Sequence, residues 1–331
     1  MTRRLRLGTR RSALARTQST WVADALRRNG FEVELVEITT HGDVNRAPLA
    51  QIGGTGVFVS ALRDALLADE VDLAVHSLKD LPTADAAGLA LGAVPEREDP
   101  RDVLVAAGRT LADLPAGARV GTGSPRRRAL LLALRPDLDV VAVRGNIDTR
   151  IGYATSGELD AVVLAAAGLA RIGRLDEASE LFAPDTFVPA PGQGALAVEC
   201  RDGDTEVLEA LAALDVPAVR FAVAAERQVL ATLEAGCSAP VGAHAVAVGD
   251  DLVLQVAAED PSGVLVRRRR AVPLSSVTDL RAARRLGAEV AADLLERELA
   301  QTPVAVGGGA QENHPLDRPV DGPRPDPESG S

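Results

Sequence analysis

The sequence predicts an α/β protein: two α/β domains with mixed sheets, followed by a small C-terminal α+β domain. Three observations lead there. The chain has 331 residues, too long for one ordinary core and suited to two or three domains. Over its first two-thirds, strand-like and helix-like patterns alternate, as they do where helices cover a parallel or mixed sheet. After about residue 216 the pattern changes to one long helix, three strands and a last helix, the layout of an antiparallel sheet backed by helices.

The elements follow in order. "LRLGT" (5–9) reads as a strand and residues 12–28 as an amphipathic helix. "FEVELVEI" (31–38) alternates apolar and polar residues, as a half-buried strand does. Residues 57–68 are helical and "VDLAVHS" (71–77) is a strand. "DVLVAA" (102–107) and "ARVGT" (118–122) are short strands, 124–135 a helix and "DVVAVR" (139–144) a strand. A further helix starts near Asn146, and "LDAVVLAAAGL" (159–169) opens as a buried strand. Beyond 216, a helix runs toward Cys237, "HAVAVG", "LVLQVAAED" and "VLVRRRRAVP" are strands, and a helix spans about 277–299. Residues 302–331 are rich in Pro, Gly and acid, the composition of a disordered tail.

Composition narrows the function. A net charge of −11 argues against nucleic acid or an anionic membrane as partner. Aromatic residues make up 2% of the chain, which leaves few stacking platforms for single strands. No apolar run approaches the roughly 20 residues that span a bilayer. The basic start "MTRRLRLGTRRS" has no apolar stretch after it, so no secretory leader is expected. The two cysteines form neither a disulfide framework nor a metal motif, and the four histidines show no metal spacing. A cytoplasmic protein is expected, with reduced thiols. Of 36 Lys and Arg residues, Lys79 is the only lysine. At that site a compact or deprotonatable ammonium is expected to matter, one that a guanidinium cannot replace.

Four predicted strand ends carry polar, mostly cationic residues: Arg10 with Ser12; Ser77, Lys79 and Asp80; Ser124 with Arg126 and Arg127; and Arg144 with Arg150. Ligands of open α/β sheets bind beyond the carboxyl ends of strands, and helix N-termini there favour anions. Ser124 suits an N-cap and Pro125 the first helical position. Arginines in the first helical turn oppose the helix dipole unless an anion arrives. Several such clusters on one kind of edge therefore point to a pocket for a polyanion, its carboxylates or phosphates gripped by guanidinium forks. Cys200, in the alternating run "ALAVECR", reads as a small buried apolar residue. Cys237, in "LEAGCSAPVGAH", sits in turn chemistry that would present its thiolate. Two readings fit these features: a two-lobed anion binder without catalysis, and an enzyme that uses the Cys237 thiolate as a nucleophile, as in a Cys237–His244 acyl transferase.

Six segments in fixed order carry a resemblance: "LRLGTRRSALA", "DLAVHSLKDLP", "GTGSPRRRALL", "RGNIDTR", "PAPGQGALAVECR" and "LEAGCSAPVGAH". Over about residues 4–300 the chain resembles the porphobilinogen deaminases, also called hydroxymethylbilane synthases. That family joins four porphobilinogen units into a linear tetrapyrrole in heme biosynthesis, with loss of ammonia at each addition, on a dipyrromethane cofactor held by a cysteine. The resemblance implies two domains like those of periplasmic binding proteins, here 1–96 with 191–215 and 97–190, and a third, 216–301, that carries the cofactor cysteine. It implies Cys237 as the attachment point and Asp80 as the catalytic carboxylate, facing pyrrole N–H groups and stabilising the cationic azafulvene. It implies that Ser77, Lys79, Asp80, Arg126, Arg127 and Arg150 bind the cofactor, and that Arg10, Ser12, Arg144, Arg150 and Arg171 bind substrate carboxylates. No metal is implied, and a monomer acting on a small molecule is expected. Thr55 and Ser60 stand where many family members have lysine, so the segment "GGTGVFVSAL" departs from the family's pattern.

Overall fold

Strand β1 (Arg4–Thr9) alternates exposed and buried residues at its start and is fully buried at its end, because Leu5 and Leu7 face the core while Gly8 lets Leu62 and Leu73 approach its backbone. It is the second strand of a five-stranded sheet with the order β2-β1-β3-β10-β4, where β2 is Glu32–Glu37, β3 Leu73–Ser77, β4 Leu89–Ala93 and β10 Leu196–Arg201. β1 runs parallel to β2 and β3, while β10 runs antiparallel to β3 and β4. Helices α1 (Ala13–Arg28) and α2 (Gly56–Leu67) connect the parallel strands. The structure, a computed structural model, describes residues 3–39, 56–236 and 239–301. Thr55, Cys237, Ser238 and the predicted disordered tail lie outside them.

The second sheet repeats the plan. Its order is β7-β6-β8-β5-β9, from β5 (Asp102–Val105), β6 (Arg119–Gly121), β7 (Asp139–Val141), β8 (Ala161–Ala165) and β9 (Glu180–Leu181). β6 runs parallel to β7 and β8, and β5 antiparallel to β8 and β9. Helices α3 (Pro125–Leu134), α4 (Ile147–Thr155) and α5 (Ala166–Arg171) cover it. The antiparallel strands β5 and β10 are the two that arrive from the other lobe. Their lead-in segments cross side by side: Glu98 N donates to Gly194 O at 3.2 Å, and Gln193 Nε2 to Pro100 O at 2.6 Å.

After α6 (Thr205–Ala212), helix α7 (Pro217–Thr232) and helix α8 (Leu280–Gln301) pack together and back the meander β11 (Val241–Val248), β12 (Asp251–Glu259) and β13 (Leu265–Pro273). Glu226 of α7 is fully buried and ties this unit to the crossing segments. It takes Arg97 at 2.6 and 3.0 Å, the Gly192 amide at 2.7 Å and the Ala245 amide at 2.8 Å. A buried carboxylate so saturated with donors resists being pulled out of place. The predicted mixed α/β class, with a small sheet-and-helix unit at the C-terminal end, is what the chain forms.

Candidate functional site

The predicted residues follow strand ends in both sheets, and those after β3 and β6 lie close enough to act on one another, Lys79 with Arg126 and Arg127. Beyond β1, Arg10 is half-buried and Ser12 caps α1, its hydroxyl accepting from Ala15 N at 3.3 Å. Ser77 closes β3 and accepts from Gln18 Nε2 at 2.9 Å. One turn of 3-10 helix, Leu78–Asp80, comes next. Leu78 is fully buried and its amide donates to Ala195 O at 3.0 Å, which pins the turn. Lys79 is half-buried and Asp80 exposed.

In the second sheet Ser124 caps α3, accepting from Arg127 N at 3.4 Å, with Pro125 in the first helical turn. The cap expected from sequence at Ser124 forms, and Asn146, near which a helix start was expected, caps α4 by accepting from Thr149 N at 2.9 Å. Arg126 and Arg127 are 4% and 5% exposed, so they are not solvated helix-end residues. Both bind Asp102, the first residue of β5, which is 0% exposed: Arg126 Nη1 lies 2.7 Å from Oδ2 and Arg127 Nη2 2.7 Å from Oδ1. Each also donates to a carbonyl, Arg126 to Val188 and Arg127 to Val163. Gln193 Nε2 adds a bond to Asp102 Oδ1 at 3.0 Å, so the crossing segment reaches the same carboxylate.

Beyond β7, Arg144 is exposed, and its guanidinium has no hydrogen-bond or ion-pair partner among the described residues. Arg150 is half-buried, its Nε donating to Gly145 O at 2.9 Å. Arg171, at the end of α5, donates to Gly194 O at 2.6 Å, and the charge that acts on it is that of Glu98. The structure thus ties Arg171 to the crossing segments rather than to the Lys79 group.

Electrostatics joins the lobes. Burial lowers the Lys79 amine to about 8; Asp80 and Asp102 oppose the shift, and Arg127 and Arg126 add to it. Burial and the charge of Arg127 also lower Arg150, against the pull of Asp80. Burial alone would raise the Asp102 carboxyl, but Arg126 and Arg127 overcome it and hold the group at about 2. Asp80 makes no hydrogen bond or ion pair among the described residues, so no partner locks its carboxylate. Lys79, Arg126, Arg127 and Arg150 therefore face two carboxylates, and one of these, Asp102, is buried behind the arginines. The surplus is cationic and partly desolvated, which is the condition that an incoming ligand carboxylate relieves. The residues fit a dipyrromethane, whose side chains are acetates and propionates.

Other residues fall elsewhere. Cys237 and the histidines His41 and His314 lie outside the described residues, so the Cys237–His244 pair is not described. His244 is buried in β11, and burial lowers its pKa. Cys200 is buried in β10, and burial pushes its thiol up to about 11, as expected of a core residue. Arg3, Arg6 and Arg201 gather on buried Asp72 and serve structure. Sequence reasoning missed Asp102 and Gln193. The signal for Asp102 was an acid opening the otherwise apolar run "DVLVAA". Gln193, inside a glycine-rich run, gave none.

A family model described as "Porphobilinogen deaminase, dipyromethane cofactor binding domain" matches residues 5–209, and "Porphobilinogen deaminase, C-terminal domain" matches 220–296. Porphobilinogen deaminase 1 of Streptomyces coelicolor is 57% identical over 303 residues, 88% of this chain and 94% of that protein. Porphobilinogen deaminase of Thermobifida fusca is 56% identical over 315 residues, 93% of this chain and 98% of that protein. Among solved structures, the periplasmic VFT2 domain of Bordetella pertussis BvgS aligns with a TM-score of 0.38 at 18% identity, over 64% of this chain and 86% of that one. With relatives more than half identical over most of its length and two family models in order along it, the chain belongs to the porphobilinogen deaminase family.

Proposed function

We propose that this chain is a hydroxymethylbilane synthase, a transferase of tetrapyrrole biosynthesis that polymerises porphobilinogen head to tail and releases ammonia. The bound dipyrromethane supplies the free pyrrole position to which each new unit is joined. Cys237 holds it, and Lys79, Arg126, Arg127 and Arg150 grip its carboxylates, with Ser77 beside them. Arg10, Ser12, Arg144 and Arg171 take the carboxylates of incoming substrate. The division 1–96 with 191–215, 97–190 and 216–301 is part of this reading. So are a cytoplasmic location and a monomeric state. Among the described residues no helix is long and apolar enough to cross a membrane.

The observation that carries the reading is Asp80, an exposed carboxylate without a hydrogen bond or ion pair among the described residues, beside the half-buried cations Lys79 and Arg150. A site that only bound anions would gain nothing from an acid there, since it would repel the ligand. An unlocked carboxylate can accept pyrrole N–H bonds and stabilise the positive charge that develops as ammonia leaves the substrate methylene. Lys79 and the arginines act on carboxylates at the ring edges and so orient the ring over Asp80.

The test is turnover with porphobilinogen, following ammonia and hydroxymethylbilane together. The reading expects four ammonia per product, and a loss on the order of a hundredfold in Asp80→Asn with the adduct still present. Porphobilinogen left unconsumed by the wild-type protein would reject it.

A further inference from the structure

The turn that bears Lys79 and Asp80 is held from the C-terminal unit by one guanidinium. Arg227 of α7 donates through Nη1 to Leu81 O at 2.8 Å and to Leu78 O at 3.3 Å, and through Nη2 to Pro82 O at 2.6 Å. These three carbonyls bracket Lys79 and Asp80. Beneath the turn, Leu78 and Leu81 are buried in one cluster with Val223, one helical turn before Arg227. Arg227 is half-buried, and burial lowers its pKa; Glu199 attracts it, and Arg63 and Arg284 repel it. With these donors on backbone carbonyls, the guanidinium serves the turn and not a ligand carboxylate. Its neighbour Glu226 holds the crossing segments, so adjacent residues of α7 grip two different parts of the site.

We propose that Arg227 is a positioning residue for chain elongation, fixing the Leu78–Pro82 turn so that Asp80 is correctly aimed from the helix that leads to Cys237. The proposal rests on the catalytic reading of Asp80 given above. Side-chain cations that bind only through ligand charge change KM. A residue that aims a catalytic carboxylate changes kcat, and its effect disappears once that carboxylate is gone.

The experiment measures intact mass, kcat and KM for porphobilinogen in the wild type, Arg227→Met, Arg227→Lys, Val223→Ala, Asp80→Asn and the double variant Arg227→Met with Asp80→Asn. Arg227→Met is expected to keep the covalent adduct, to hold KM within about twofold and to lower kcat on the order of tenfold. Arg227→Lys keeps one donor group within reach of the carbonyls and recovers part of that loss, and it carries the test if the Met variant does not fold. Val223→Ala loosens the packing under the turn but leaves the clamp, so it lowers thermal stability more than kcat. In the Asp80→Asn background the Arg227→Met change costs less than about twofold. Losses that multiply in the double variant, or an unchanged kcat in both Arg227 variants, would overturn the proposal. Near-normal turnover in Asp80→Asn alone would instead reject the reading of Asp80 on which it rests.

Discussion

Arg126 and Asp102 stand 2.7 Å apart, guanidinium to carboxylate, with both side chains shut away from solvent. Arg127 takes the other oxygen at the same distance. One buried acid therefore holds two arginines on the first turn of α3. Removing it leaves two buried cations that only carbonyls partner. Asp102→Ala is expected to lose about 3–5 kcal/mol of stability, the usual cost of stranding a buried charge. Denaturant unfolding checks it, and a loss under about 1 kcal/mol would mean that water or repacking compensates the pair.

The Lys79 amine titrates at about 8 in the folded protein without cofactor, below its ordinary 10.5. Between those values the unfolded chain holds a proton that the folded chain has released. This group therefore adds stability as pH rises through that window and opposes folding below it. Ligand binding runs the other way, because a carboxylate at Lys79 needs the ammonium. Cofactor assembly from porphobilinogen by the apo-protein should slow as pH passes about 8. Lys79→Arg, which does not titrate there, should assemble more slowly than the wild type below about pH 8 but without that limb. Superimposable pH profiles for the two proteins would contradict the assignment.

Gly194 links the crossing segments to the site. Its φ is +86°, and a Cβ there would meet Glu98 O at 2.3 Å. Gly194→Ala should cost at least about 1–3 kcal/mol from backbone strain alone, with a further loss as Glu98 and the Arg171 bond to Gly194 O shift. Thermal unfolding and KM for porphobilinogen read the two effects separately. An unchanged melting temperature would show that the crossing relaxes freely.

The alternation of apolar and polar residues placed most strands and helices within a few residues of their observed bounds. α1, α3 and α4 start where Ser12, Ser124 and Asn146 suggest, because a cap is a local signal carried by one side chain. β4, β9 and α6 were not read from the sequence: β9 has only two residues, and β4 and α6 are five and eight residues long. The cationic strand ends were legible, and Lys79, Asp80, Arg126, Arg127 and Arg150 do act on one another. The internal partners were not. Asp102 reaches Arg126 and Arg127, and Arg227 reaches Leu78–Pro82, across sequence gaps that local patterning does not encode.

Cys200 offers a control for thiol chemistry. It is buried and its thiol is pushed up to about 11, so it is a poor nucleophile at neutral pH. Cys200→Ser should keep the covalent adduct and turnover while losing about 1–3 kcal/mol from the buried hydroxyl. Loss of the adduct in this variant would move the attachment point away from Cys237.

The central claim is that Cys237 carries a dipyrromethane on which the product is built, and intact mass is its most direct measurement. Purified wild-type protein should exceed the mass of its sequence by two linked pyrrole units. Cys237→Ser should fold, show the bare sequence mass and consume no porphobilinogen. A wild-type protein at bare mass after incubation with porphobilinogen, or an adduct that persists in Cys237→Ser, would contradict the account.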